Sequence, residues 1–169
     1  MHFSKDIPKT RVFSEVKDFI RQEGFTIVDK DDARPWGGYY VIDESQSLDF
    51  IERFFQNLNP EEFKGFSKLS PKILLVEPHK RLSWQYHERR SEIWKVLSDK
   101  VGVIVSSTNE ETPVAELIKG DVIDLEREQR HRLVGLDAWG IVAEIWKHTD
   151  SAKPSDEDDI VRVKDDFGR

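Results

Sequence analysis

Residues 83–94 read SWQYHERRSEIW, and three of them, Gln85, His87 and Glu92, are residue types that can hold a divalent cation. Alternate residues of a strand share a face, so Gln85 and His87 point one way while Trp84 and Tyr86 point the other. A turn over residues 88–91 returns the chain. Glu92 then opens the next strand with Trp94 and Val96 on its side, and hairpin geometry is expected to bring Glu92 beside His87. An amide oxygen, an imidazole and a carboxylate form a mixed nitrogen and oxygen set suited to a borderline or hard divalent ion. A fourth ligand is available in His131, within REQRHRLVG on a later strand. The same residues have a plainer reading, in which His87 is a hydrogen-bonded strand histidine and HERRSE a charged turn. Local pattern leaves both open.

The elements that must position these groups can be read along the chain. In TRVFSEVKDFIRQEG the apolar residues Val12, Phe13, Val16, Phe19 and Ile20 fall on one helical face, with Thr10 as cap and Gly24 as stop. FTIV and YYVI read as strands on either side of the turn-rich DKDDARPWGG. SLDFIERFFQNLNPEEF is a second helical stretch, with Ser47 as N-cap, Leu48, Ile51, Phe54 and Phe55 as its buried face, and a fresh start at Asn59-Pro60. From Lys72 onward, short apolar or alternating runs are separated by turns, the pattern of an antiparallel sandwich or barrel. The charged tail from Ser151 onward, taken alone, reads as a solvated extension.

Composition bounds the function. A chain of 169 residues is one domain by length, and ten Phe with five Trp can fill its core. A net charge of −7 disfavours nucleic acid and anionic membrane as partners, because each requires a basic face. The absence of cysteine excludes disulfides, thiolate nucleophiles and cysteine-rich zinc sites. No apolar run follows the start MHFSKDIPKT, so a cytoplasmic protein is expected.

The spacing Gln85-x-His87-x4-Glu92 resembles the first cupin motif, with glutamine where many cupins have a histidine. Gly120 and His131 keep the spacing of the second cupin motif, but Glu126 and Glu128 stand at its usual proline and glycine, and Gly135 at its late asparagine. Asp99 replaces the glycine after the first motif's strand. More specifically, RPWGGY (34–39), RLSWQYHERRSEIWKVLS (81–98) and EDDIVRVKDDFGR (157–169) resemble the type II phosphomannose isomerases. That resemblance implies a mainly β fold: a cupin jelly-roll barrel over residues 33–169, preceded by a helix-containing extension over residues 1–32. The segment over residues 43–70 is longer than the family's usual link.

The resemblance further implies that Gln85, His87, Glu92 and His131 hold one divalent metal, zinc first, with manganese, cobalt or nickel also accommodated. The implied reaction is interconversion of mannose 6-phosphate and fructose 6-phosphate through an enediol. Arg90 falls at the position of a family arginine used for activity, and Lys72 at that of a lysine suited to phosphate contact or proton transfer. Arg162 and Arg169 are expected phosphate clamps, since guanidinium matches phosphate. The structural alternative is that Arg162 pairs with Asp158 or Asp159. Arg34 reads more as structural than chemical. Glu144, acidic within an apolar strand, is expected to face the pocket. Trp84, Trp94, Trp139 and Trp146 read as core, and His2, His79 and His148 as exposed. The rival functions are isomerisation of another sugar, of lyxose or heptose type, and a non-catalytic sugar-binding metallo-cupin. A homodimer is an expectation of the fold.

Overall fold

The computed structural model describes residues 1–168. Helix α1 (Lys9–Gln22) precedes β1 (Ile27–Asp31) and β2 (Gly37–Ile42), and α2 (Ser47–Phe54) follows. Then come β3 (Lys72–Val76), β4 (Trp84–His87), β5 (Arg90–Val96), β6 (Lys100–Ser106), β7 (Ala115–Ile118), β8 (Val122–Leu125), β9 (Arg130–Val134), β10 (Gly140–His148) and β11 (Ile160–Lys164). One sheet has the order β1-β2-β3-β10-β5-β8 and the other β11-β4-β9-β6-β7. All of the pairings are antiparallel. This is the mainly β two-sheet sandwich with N-terminal helical additions that the resemblance implies.

Runs such as KILLV and GIVAEIW do not alternate because the six-stranded sheet is covered on both faces. Its inner face puts Leu74, Val76, Trp94, Val96 and Val142 against Val101, Val103 and Leu133 of the other sheet. On its outer face, Tyr40, Ile73, Leu75, Ile93, Ile141 and Ile145 pack beneath Val12, Phe13 and Val16 of α1 and Phe50, Ile51 and Phe54 of α2. The long 43–70 segment therefore serves as a helical and aromatic layer on the back of the sheet that carries half of the site.

Several local expectations shift. Lys9, not Thr10, opens α1, and Pro8 is its N-cap. Gly24 adopts φ +88° just past the helix, as a stop requires. A 3-10 turn over Glu44–Gln46, capped by Asp43, leads into α2, which makes Ser47 a helical residue rather than its cap. Leu48 is exposed, and Phe50 takes its place on the buried face. α2 stops at Phe54, and Pro60–Phe63 forms a separate 3-10 turn capped by Asn59. The tail is no solvated extension: β11 adds to the edge of β4. Among the described residues, no helix is long and apolar enough to cross a membrane.

The RPWGGY stretch is structural at its glycines. A Cβ on Gly37 would sit 1.9 Å from the Leu75 carbonyl oxygen, and its φ of +142° disfavours other residues. At the motif position where the family has glycine, Glu128 takes φ +64° while its N–H donates to the His87 carbonyl at 2.8 Å. A side chain in this left-handed conformation costs about 1 kcal/mol. Glu128→Gly is expected to raise stability by up to about 1 kcal/mol, offset in part by the greater freedom of glycine in the unfolded chain. Equilibrium denaturation checks this, and an unchanged or lower midpoint would show that the turn is unstrained.

Candidate metal centre

His87 and Glu92 meet, but not across a hairpin. β4 belongs to the five-stranded sheet and β5 to the six-stranded one, so the short turn between them is a corner of the sandwich. Their side chains converge across the interior. Gln85 faces His131 directly in the β4–β9 ladder, which puts both on the same inner surface. Glu92 arrives from the opposite wall. Its carboxylate lies 3.1 Å from His87 Nε2 through one oxygen and 3.4 Å from His131 Nε2 through the other. All three residues are about 98% buried.

The tautomers follow from the partners, because a carbonyl oxygen can only accept. His87 Nδ1–H donates to the Asp159 carbonyl at 3.3 Å, and His131 Nδ1–H to the Gln129 carbonyl at 2.9 Å. In the neutral rings both Nε2 atoms then present lone pairs to Glu92, and no group among the described residues donates to His131 Nε2. Burial pushes the His87 imidazole below its ordinary pKa against the pull of Glu92. Burial alone would raise the Glu92 carboxyl, but neighbouring positive charge, from His87 whenever it is protonated and from Arg90 always, holds it well below its ordinary value. Two imidazole lone pairs facing an ionised carboxylate, with their ligand atoms within 4.8 Å of one another, suit a divalent cation.

Gln85 is less committed. Its Oε1 accepts from Ser83 Oγ at 2.5 Å, and its Nε2 faces His87 Nε2 at 3.5 Å. Because a hydroxyl both donates and accepts, a half-turn of the amide would keep the serine bond and turn the oxygen toward the centre. Arg90, 2% exposed, donates to Glu92 through Nε at 2.8 Å and to His87 Nε2 through Nη2 at 3.2 Å. Its guanidinium lies 3.6 Å from the centroid of the Trp146 ring. A bound ion and this guanidinium compete for the same two atoms.

A small cleft, with about 60 Å³ open to the centre of a water molecule, reaches the centre at Gln85 and Glu92. Glu144 lines it and accepts from Trp94 Nε1 at 2.8 Å, the two being cross-strand partners in the row Trp94–Glu144–Lys72. Burial, then the charge of Glu92, pushes its carboxyl up to about 8. Lys72 Nζ sits 3.8 Å from the centroid of the Trp146 ring and 2.9 Å from Glu157. Arg162 pairs with Gln85 in the β11–β4 ladder and lines the cleft. The expected alternative pairing with Asp158 or Asp159 is not formed. Asp159 instead accepts from the backbone of Glu88 and Arg89 and from Ser155 Oγ. Arg169 lies outside the described residues.

Some participants were not read from the sequence. Ser155 and the Asp156 carbonyl accept from Arg90, and the Asp159 carbonyl orients His87, so the tail builds part of the centre. The acidic EDD run was the available signal. The four tryptophans are buried, but Trp146 is also the platform for two cations. His148, expected to be exposed, is 5% exposed because β10 runs on to it and the tail covers it. Its Nδ1 accepts from the Ser155 N–H, its Nε2 meets Ser70 Oγ, and burial pulls its pKa to about 4. His2 and His79 are exposed, as expected.

The family model described as mannose-6-phosphate isomerase C-terminal matches residues 61–165, which span β3 to β11 and the whole centre. No curated protein matches the sequence. Among solved structures, the capsular polysaccharide assembling protein CapF from Staphylococcus aureus is similar with a TM-score of 0.53 and 12% identity, covering 81% of this chain and 32% of that one. CapF with the inhibitor 3-isopropenyl-tropolone gives 0.54 and 13%, covering 81% and 34%. KdgF from Halomonas sp. gives 0.51 and 15%, covering 77% and 91%. At these identities the likeness is one of fold. The chain spans about a third of the length of the CapF chains it matches.

The raised Glu144 pKa has a consequence for stability. An acid whose folded pKa lies above its unfolded value adds stability that is complete below the unfolded value and is lost as pH rises toward about 8. Glu144→Gln in chelator-treated protein should therefore stabilise more at about pH 9 than at about pH 5. Melting temperatures across that range check it, and a difference independent of pH would mean that Glu144 is ionised throughout.

Proposed function

The chain belongs to the mannose-6-phosphate isomerase C-terminal family, and from that membership we propose that it interconverts mannose 6-phosphate and fructose 6-phosphate with one divalent ion, zinc first. The observation that carries the reading is the meeting of two imidazole lone pairs with one buried carboxylate, Glu92, which itself lines a cation-rich cleft. His87, Glu92 and His131 would hold the ion, with Gln85 joining after its amide turns. A bound ion there supplies Lewis acidity to a sugar carbonyl and its neighbouring hydroxyl.

The residues of this chain do the rest. Glu144 is the carboxyl placed in the cleft to take the proton from C2 and return it to C1, and its pKa of about 8 keeps both of its forms accessible near neutrality. When C2 loses its proton to Glu144, the electron pair of that bond forms the C1–C2 double bond, the C1 carbonyl pair moves onto its oxygen, and that oxygen takes the hydroxyl proton of the neighbouring C2 oxygen. The resulting enediolate collapses to a C2 carbonyl as C1 gains the proton held on Glu144. Arg90, fixed between Glu92 and Ser155, donates toward the oxygens on which charge develops. Arg162 and Lys72 supply cations for the phosphate.

One observation favours a second reading, a domain that binds a sugar phosphate without turnover: Arg90 already occupies Glu92 Oε1 and His87 Nε2. One experiment decides between them. Conversion of mannose 6-phosphate by purified protein should be abolished by chelation and restored by a divalent ion. His131→Ala should stay folded and lose the metal, read by elemental analysis. Folded protein that is inert with every ion supports the binding domain, and undiminished metal content in His131→Ala removes that ligand.

A further inference from the structure

At the mouth of the cleft, a carboxylate of the chain itself holds the position that suits an anionic ligand. The Lys72 side chain is 8% exposed and packs on the faces of Trp146 and Tyr39. Its charge is compensated by Glu157, whose own side chain is 50% exposed and comes from the short turn Glu157–Asp159. Burial pushes the Glu157 carboxyl up, but Lys72, and after it Arg90 and Arg34, hold it below its ordinary value. Its field therefore comes from the cations of the cleft rather than from its own turn.

Two further cations complete the mouth. Arg34 lines the cleft near Tyr39 and is already paired with Asp31 at 2.7 Å, whereas Arg162 faces it from β11 with no ion pair among the described residues. The turn does not depend on the contact between Glu157 and Lys72. Asp159 anchors it through Arg89 and the N–H groups of Glu88 and Arg89, while Asp156 also pairs with Arg89. Glu157 can swing into solvent while the tail stays docked.

We propose that Lys72, Arg34 and Arg162 form an oxyanion subsite for the phosphate group of a sugar phosphate, and that Glu157 is its displaceable internal occupant. The chemical class of the ligand rests on the reading given under the proposed function. A phosphate monoester brings close to two charges and three acceptor oxygens, against one charge on a half-exposed carboxylate. It replaces Glu157 on Lys72 and can engage the arginines as well. An unphosphorylated sugar has nothing to exchange for the Lys72–Glu157 pair, so the carboxylate sets a preference for phosphorylated substrates as well as plugging the mouth.

The sign of one substitution separates competition from support. Inorganic phosphate titrated calorimetrically into the full chain should bind Glu157→Gln about fivefold more tightly than wild type, the size of a half-exposed ion pair. Arg162→Gln should weaken binding by a similar factor, and mannose should show no response to either substitution. Unchanged or weakened phosphate binding in Glu157→Gln, with the melting temperature showing it folded, overturns the proposal and leaves the pair as a structural tie. Turnover is measured separately. A chain inactive with every ion but following the predicted order of phosphate affinities loses the isomerase reading and keeps the subsite, whereas an active enzyme whose phosphate affinity ignores Glu157 loses the subsite alone.

Discussion

A carboxylate buried between two sheets must be compensated by charge and hydrogen bonds, and the centre is organised around that need at Glu92. Arg90 supplies the permanent positive charge, two residues along the same strand. His87 and His131 face the carboxylate with ring nitrogens from the opposite sheet, and in their neutral forms these add to its need for a cation. Each ring is held at its far nitrogen by a backbone carbonyl, which leaves the near nitrogen no proton to offer Glu92 in the neutral form. The surplus of lone pairs at that point is what suits the cluster to a cation and sets it apart from an ordinary buried ion pair.

Holding such a cluster requires both walls to be rigid. The six-stranded sheet is clamped between the interior and the layer of α1 and α2, where Phe13, Phe50 and Phe54 pack on its outer face. Burial on both sides fixes strand register, because a slip of one residue would exchange the Glu144 and Trp146 face for the Ile145 face. The aromatic layer is far from the chemistry, yet it sets which residues of β5 and β10 look into the cleft.

The tail works from the other side. Asp159 ties it to the corner between β4 and β5, while Arg81 and Arg132 hold Asp166 on the outer face of the five-stranded sheet. Between these anchors β11 carries Arg162 into register with Gln85. The stretch that composition alone suggests is solvent-exposed is in fact a wall of the site, since its charges are spent on specific partners. A charged segment reads as solvated only until its counterions are known to be fixed.

Much of the site is legible in sequence because strand alternation is local. Gln85 with His87, and Glu92 with Trp94, share faces whatever the rest of the chain does. The helix over Val12 to Ile20 and the strand series after Lys72 follow from the same periodicities. Other features depend on distant segments. Leu48 is exposed because a 3-10 turn resets the phase of α2, and His148 is buried because the tail folds over it. β4 and β5 separate into different sheets because each finds its hydrogen-bond partners, β9 and β11 or β8 and β10, far away along the chain. Local residue order is enough to say which side chains share a face and which chemistry they bring. Which faces meet follows from the assembled sandwich, because pairing between strands is selected by the burial of the whole and not by the residues on either side of a turn.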